Sequence, residues 1–186
     1  MDIVSYVLLL AVIFAGFLIG IILSKLCFEE SDELTKFLKF LKGFIMLIIT
    51  IIISFEAYEL QYYILLFLVL ISGILIAYYS LKGHYNNKRL KIITKIFLGM
   101  IFFLSSLSKN NYFIISVTAS LFIYEMLHAT IYSWEFCRRK GIFLLKGFNK
   151  KILKNILYRV GKDYLIIFFT ASIMFMLFNY LIQAGV

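Results

Sequence analysis

The chain has 186 residues, of which 63% are hydrophobic, 18% aromatic and only 16% charged, with no proline. Mean hydropathy is +0.96. A water-soluble domain carries roughly a quarter charged residues. Here the apolar residues come in long blocks rather than at amphipathic spacing, which excludes that class and predicts an all-α, polytopic membrane helix bundle forming one domain over residues 1–186. In a soluble protein the net charge of +9 would point to nucleic acid. No nucleic-acid motif is present, and the positive-inside bias of membrane proteins is the simpler cause.

Six spans are predicted, at about 3–26, 43–60, 62–81, 90–107, 112–134 and 164–183. The first has no basic stretch before it and is too long for a signal h-region, so it reads as a retained helix. Within it Gly16, Gly20 and Ser24 repeat every four residues on one face, where small side chains let another helix approach. Packing inside the same bundle explains the stripe more simply than a dimer seam does.

The stretch before the second span pairs a capping Ser31 with Asp32 and Glu33 in the first turn, as the helix dipole prefers. Leu34, Phe37, Leu38 and Leu41 then form an apolar stripe, with Lys36, Lys39 and Lys42 off it, which reads as an interfacial lead-in. Glu56 and Glu59 follow. They are candidates for the mouth of a cation path, although a solvated outer turn accounts for them more simply. His84 falls in a polar loop and is given no role. Lys91 and Lys95 open the fourth span and are expected to snorkel to headgroups.

The fifth span holds the one acid placed near mid-membrane, Glu125, with Tyr124 beside it and His128 one turn on. A charged carboxylate at that depth must be neutralised, paired or wet. Glu125 and His128 share a helical face, so with Tyr124 they are the candidates for a proton or cation path. Packing glue is the plainer alternative. By depth along their spans, Gly16, Ser72 and Ser172 fall near the level of Glu125. A Glu-x-x-His pair also occurs in di-iron bundles, but those need a second copy and further acids. Neither metal nor other cofactor is therefore expected.

Residues 144–160 are predicted to form a separate amphipathic helix in the membrane interface. Leu145, Phe148, Ile152, Ile156 and Val160 form the lipid-facing side. Lys146, Lys150, Lys151 and Lys154, with Lys162 just beyond, are expected to contact anionic headgroups.

The six-span topology sorts the basic residues. All of the 19 Lys and Arg except Lys109 fall on one side, which places both termini on the non-cytoplasmic side of a cell membrane. A miscounted span would scramble this sorting. Cys27 and Cys137 land on the reducing side and are expected to be free thiols.

No nucleophile elbow, zinc-protease motif or P-loop is present, so no catalytic residue is assigned and an enzyme acting on lipid has no motif behind it. Two readings remain. One is a small transporter or channel-like subunit using Glu125 and His128. The other is a non-catalytic scaffold or complex subunit that binds anionic lipid or a cytosolic partner through its basic helix, as a homo-oligomer or in a membrane complex.

Overall fold

The computed structural model describes residues 3–27, 31–59, 63–81, 88–139 and 150–183. Among them are six α-helices and no strand: α1 (Ile3–Leu26), α2 (Ser31–Glu59), α3 (Tyr63–Leu81), α4 (Lys88–Leu107), α5 (Asn111–Arg139) and α6 (Lys150–Gln183). Four are long and apolar enough to cross a membrane, over Val4–Leu26, Leu34–Glu56, Asn111–Arg138 and Leu153–Leu177. The apolar stretches of α3 and α4, Val69–Tyr78 and Ile92–Leu107, are shorter. Several long apolar helices and no strand are compatible with a membrane location.

The outer surface supports that setting. On α1, Val4, Leu8, Val12, Ile19 and Ile22 are exposed, while Tyr6, Leu10, Ile13 and Phe17 are buried. Both faces are apolar. Water offers no reason for such a surface, whereas acyl chains do. The lead-in of α2 goes further and turns part of its polar side inward. Thr35 and Lys42 are buried, whereas Phe37, Phe40 and Phe44 are exposed. The stripe of Leu34, Phe37, Leu38 and Leu41 therefore does not define the packed face; only Leu38 and Leu41 lie against the core.

Helix α5 is the hub, packing against α1, α2, α4 and α6. The tightest seam joins α1 to α5. A Cβ at Gly16 would meet the carbonyl oxygen of Phe122, and one at Gly20 would meet that of Met126 and, at 2.9 Å, the Ala129 methyl. With the backbones this close, Thr130 Oγ1 donates to the Gly20 carbonyl at 3.0 Å. Trp134 Nε1 donates to the Ser24 carbonyl at 2.8 Å. The small-residue face of α1 is thus spent within the chain.

Extensive contacts link α1 with α5, α5 with α2, and α2 with α3. Helices α4 and α6 pack extensively on each other, and sparsely on the rest. The molecule therefore divides into a four-helix body (α1, α2, α3, α5) and an α4–α6 pair. Aromatic contacts bridge them. The Tyr6 ring on α1 lies 5.0 Å from Phe102 on α4 and 4.6 Å from Phe175 on α6.

Two sequence expectations are corrected. The basic amphipathic stretch is not a separate interfacial helix: from Lys150 it runs without a break into the last span as α6. The one residue of its apolar side whose side chain is described, Ile156, faces protein. Ile156 is fully buried in a cluster with Phe17, Ile21, Ala129 and Cys137, with Leu153 against it. Those partners belong to α1 and α5, and the apolar window of α6 starts at Leu153 instead of Tyr164. The expectations for residues 144–149 and for His84 lie outside the described residues, as do those for the side chains of Ile152 and Val160. Cys27 and Cys137 are both free thiols.

Gly20→Ala puts a methyl group against backbone that has no side-chain rotamer to yield. It is expected to destabilise the fold by about 1–3 kcal/mol, the usual cost of overpacking. Thermal or SDS unfolding of the purified protein measures this, and unchanged stability would show that α1 and α5 separate without cost.

Candidate functional site

The interior of the bundle holds a layer of ionisable side chains drawn from three helices. Glu125 is the midpoint of α5, 14 residues from each end of Asn111–Arg139. Lys95 on α4 donates to both carboxylate oxygens, at 2.7 and 2.8 Å. Both side chains are only 1% exposed. The expected snorkelling of Lys95 is thus overturned. Its ammonium finds a carboxylate inside the bundle, a stronger partner than a distant headgroup.

Lys42 on α2 is 4% exposed. Its Nζ stands 3.0 Å from His128 Nδ1. An ammonium has no lone pair to offer, so with Lys42 charged it donates, Nδ1 accepts, and the imidazole proton sits on Nε2. Tyr124 lies between the two pairs, with its ring centroid 5.0 Å from Lys42 Nζ and 6.0 Å from Lys95 Nζ. The negative face of the ring suits both cations. Glu125 and His128 share a face of α5, as their spacing predicts, but they reach different helices.

That face continues. Glu125, His128, Tyr132 and Glu135 follow one another at i, i+3, i+7 and i+10, the spacing of one helical stripe. The rings of His128 and Tyr132 lie 6.4 Å apart. Glu135 pairs with Lys39 at 2.7 Å, where both side chains reach the surface. From this surface pair, His128 lies about 10 Å along the helix and Glu125 about 15 Å, at 1.5 Å per residue. The stripe is a ladder of titratable groups running from one end of the bundle to its centre.

Sequence reasoning missed Lys42, Lys95, Tyr132 and Glu135. The stripe on α5 was available from spacing alone. The two lysines were not, because each sits near one end of a hydrophobic block and reads as a headgroup contact.

The other candidates are placed as follows. Glu56 accepts from Ser108 Oγ across the opposite end of the bundle. That bond ties α2 to the short α4–α5 connection, where Asn110 Oδ1 caps α5 by accepting from Tyr112 N at 3.0 Å. The side chain of Glu59 lies outside the described residues, as do Lys146 and the side chains of Lys150 and Lys151. Lys154 and Lys162 are exposed. Gly16 faces Phe122, and Ser72 lines an apolar gap between α3 and α4, so neither closes around Glu125. Among the described residues no group of three or more His, Cys, Asp or Glu side chains is gathered as a metal would need.

The energetics are asymmetric. At an effective dielectric near 20, two unit charges 4 Å apart attract by about 4 kcal/mol. Desolvation takes back several kcal/mol for each ion, so the pair as a whole is close to neutral. Removing one partner is different, because it strands the other charge.

Comparison with known proteins adds no identity: no protein-family model, curated protein or solved structure matches this chain.

Lys95→Met alone is expected to cost about 3–5 kcal/mol, whereas Lys95→Met with Glu125→Leu should return to within about 1 kcal/mol of the parent. The surface pair is a control: Glu135→Gln should change stability by about 1 kcal/mol or less. SDS or thermal unfolding of the variants decides, and equal losses in the single and double variants would contradict a buried ion pair.

Proposed function

We propose that the protein is a small multi-pass membrane protein of the transporter or channel-subunit type, in which Glu125 is a protonatable site that locks two moving parts together. The reading rests on one observation. The ladder of Glu135, Tyr132, His128 and Glu125 ends in an ion pair with Lys95, and that pair joins the four-helix body to the α4–α6 pair, which otherwise touch sparsely.

The chemistry follows from the positions. A proton arriving at Glu125 removes the carboxylate charge and with it the attraction to Lys95. The lysine must then be resolvated or find another partner, and a tie between the two bodies is lost. The side chains of Glu135, Tyr132 and His128, with water between them, would relay the proton along the stripe from the Lys39–Glu135 end. Two apolar gaps run along the same seam, one between α1 and α6 and one between α3 and α4. They leave space for one body to shift against the other, in the manner of rigid-body rocking around a fixed site.

In this proposal all six helices cross the bilayer. The end carrying Lys39, Glu135 and most of the basic residues faces the cytoplasm, and both chain termini face outward. The segment of α2 between the polar ends Lys39 and Glu56 is about 25 Å long, close to the hydrocarbon thickness of roughly 30 Å.

A second reading has its own support. Glu125, Lys95 and His128 line neither gap, and a dry ion pair equally suits a non-catalytic scaffold or complex subunit whose charges fix helix register.

Proton-driven flux in reconstituted vesicles separates the two. Glu125→Gln keeps the shape of the carboxylate but exchanges no proton. It is expected to abolish the response to an imposed pH gradient. It should also raise cysteine labelling of Ile101→Cys, which is buried in α4, because the seam loosens. The Lys95→Met, Glu125→Leu double variant is expected to be stable and equally uncoupled. Full coupling in that double variant would rule out the lock, and a parent that gives no flux under the pH gradient would leave the scaffold reading.

A further inference from the structure

The gap between α1 and α6 has the build of a ligand site. It encloses about 760 Å³, within the range of small-molecule sites. Val7, Leu10, Ala11 and Phe14 form the α1 wall, and Leu165 and Phe168 belong to the α6 wall. Tyr164, also in the lining, ties the two helices together by donating to the Leu10 carbonyl at 2.6 Å. The groove opens sideways onto apolar surface, with exposed Val4, Leu8 and Val12 on α1 and Phe169 and Ile173 on α6.

One border is not apolar. Tyr158 and Lys162 are part of the lining, and among the described residues no acidic side chain is. Lys154, Tyr158 and Lys162 recur every four residues, so they share one side of α6, and all three are exposed. The occupant that fits has an apolar body and an anionic head.

A second observation concerns Gly161, also in the lining. Gly16, Gly20, Gly73 and Gly99 each press against a neighbouring helix, but a Cβ at Gly161 would meet nothing within 4 Å. Glycine inside a helix costs about 0.8–1.0 kcal/mol relative to alanine. Here no helix approach accounts for it; what its missing side chain leaves free is the groove.

We infer that the α1–α6 groove binds an anionic phospholipid of the surrounding bilayer, with an acyl chain against Leu10, Phe14 and Phe168 and the phosphate at the Lys154–Tyr158 end of the groove, toward which the Lys162 ammonium reaches along the helix. The site is separate from the Glu125 ladder and stands whether or not that ladder carries protons.

The test is native mass spectrometry of the purified full-length chain released from nanodiscs of phosphatidylglycerol or phosphatidylcholine. The parent is expected to retain phosphatidylglycerol preferentially. Lys162→Gln should weaken that retention about fivefold, the share of one lysine at an anionic surface, and leave phosphatidylcholine unchanged. Gly161→Leu fills the groove from a position with free space around it, and Ala11→Phe fills it from the other wall. Both are expected to lose either lipid. Lys25→Gln, an exposed α1 change away from the groove, should behave as the parent. Equal retention of the two lipids by the parent, or undiminished retention in both groove-filling variants, would overturn the inference. A parent dimer that Gly161→Leu dissociates would overturn it too, by making a second copy the occupant.

Discussion

A charge taken out of water must be met by another charge, and the interior of this bundle is arranged around that requirement. Lys95 and Glu125 satisfy one another through two hydrogen bonds at the centre of α5. Neither is tolerable alone at 1% exposure. The pair therefore fixes the rotation of α4 and α5 about their axes and their relative height. Packing gives the rest of the bundle its closeness, most visibly where Gly16 and Gly20 bring α1 against α5. It does not choose a register as sharply as a bidentate ion pair does.

A related requirement, that a buried donor find an acceptor, explains why polarity is reversed at Lys42 in α2. In water, the side of a helix carrying Lys36, Lys39 and Lys42 would face out. Here Lys42 turns inward to His128 while Phe37, Phe40 and Phe44 turn outward. Hydropathy is no guide to orientation once the exterior is as apolar as the core, and the available polar partners decide instead.

That reversal also marks what the sequence could and could not reveal. The helical blocks were legible because long apolar runs need internally paired backbone, and the shared face of Glu125 and His128 followed from three-residue spacing. The partners of those residues were not legible. Spacing along one helix says nothing about which helices are neighbours, and a lysine at the edge of a hydrophobic block has two plausible fates, outward to headgroups or inward to an acid. Lys95 took the second. The amphipathic stretch before Tyr164 failed for a related reason: a wheel shows that Ile156 has an apolar side to bury but not whether lipid or Phe17 and Ile21 will cover it. Continuity with the last helix was hidden because Gly161, Lys162 and Asp163 interrupt the apolar pattern between the two stretches, although the helix runs through them.

The three-residue connection Ser108–Asn110 between α4 and α5 bears on how such a chain enters a bilayer. A lysine or an acid near the centre of an isolated helix raises its insertion cost by about 2.5–3.5 kcal/mol. Helix α4 carries the lysine and has only a short apolar stretch, so it is a poor candidate for insertion alone. In the proposed six-span arrangement, so tight a turn lets α4 and α5 leave the insertion machinery as one hairpin with Lys95 already opposite Glu125. The ion pair is then formed before either charge has to meet acyl chains, and translation order rather than final stability makes the buried pair affordable.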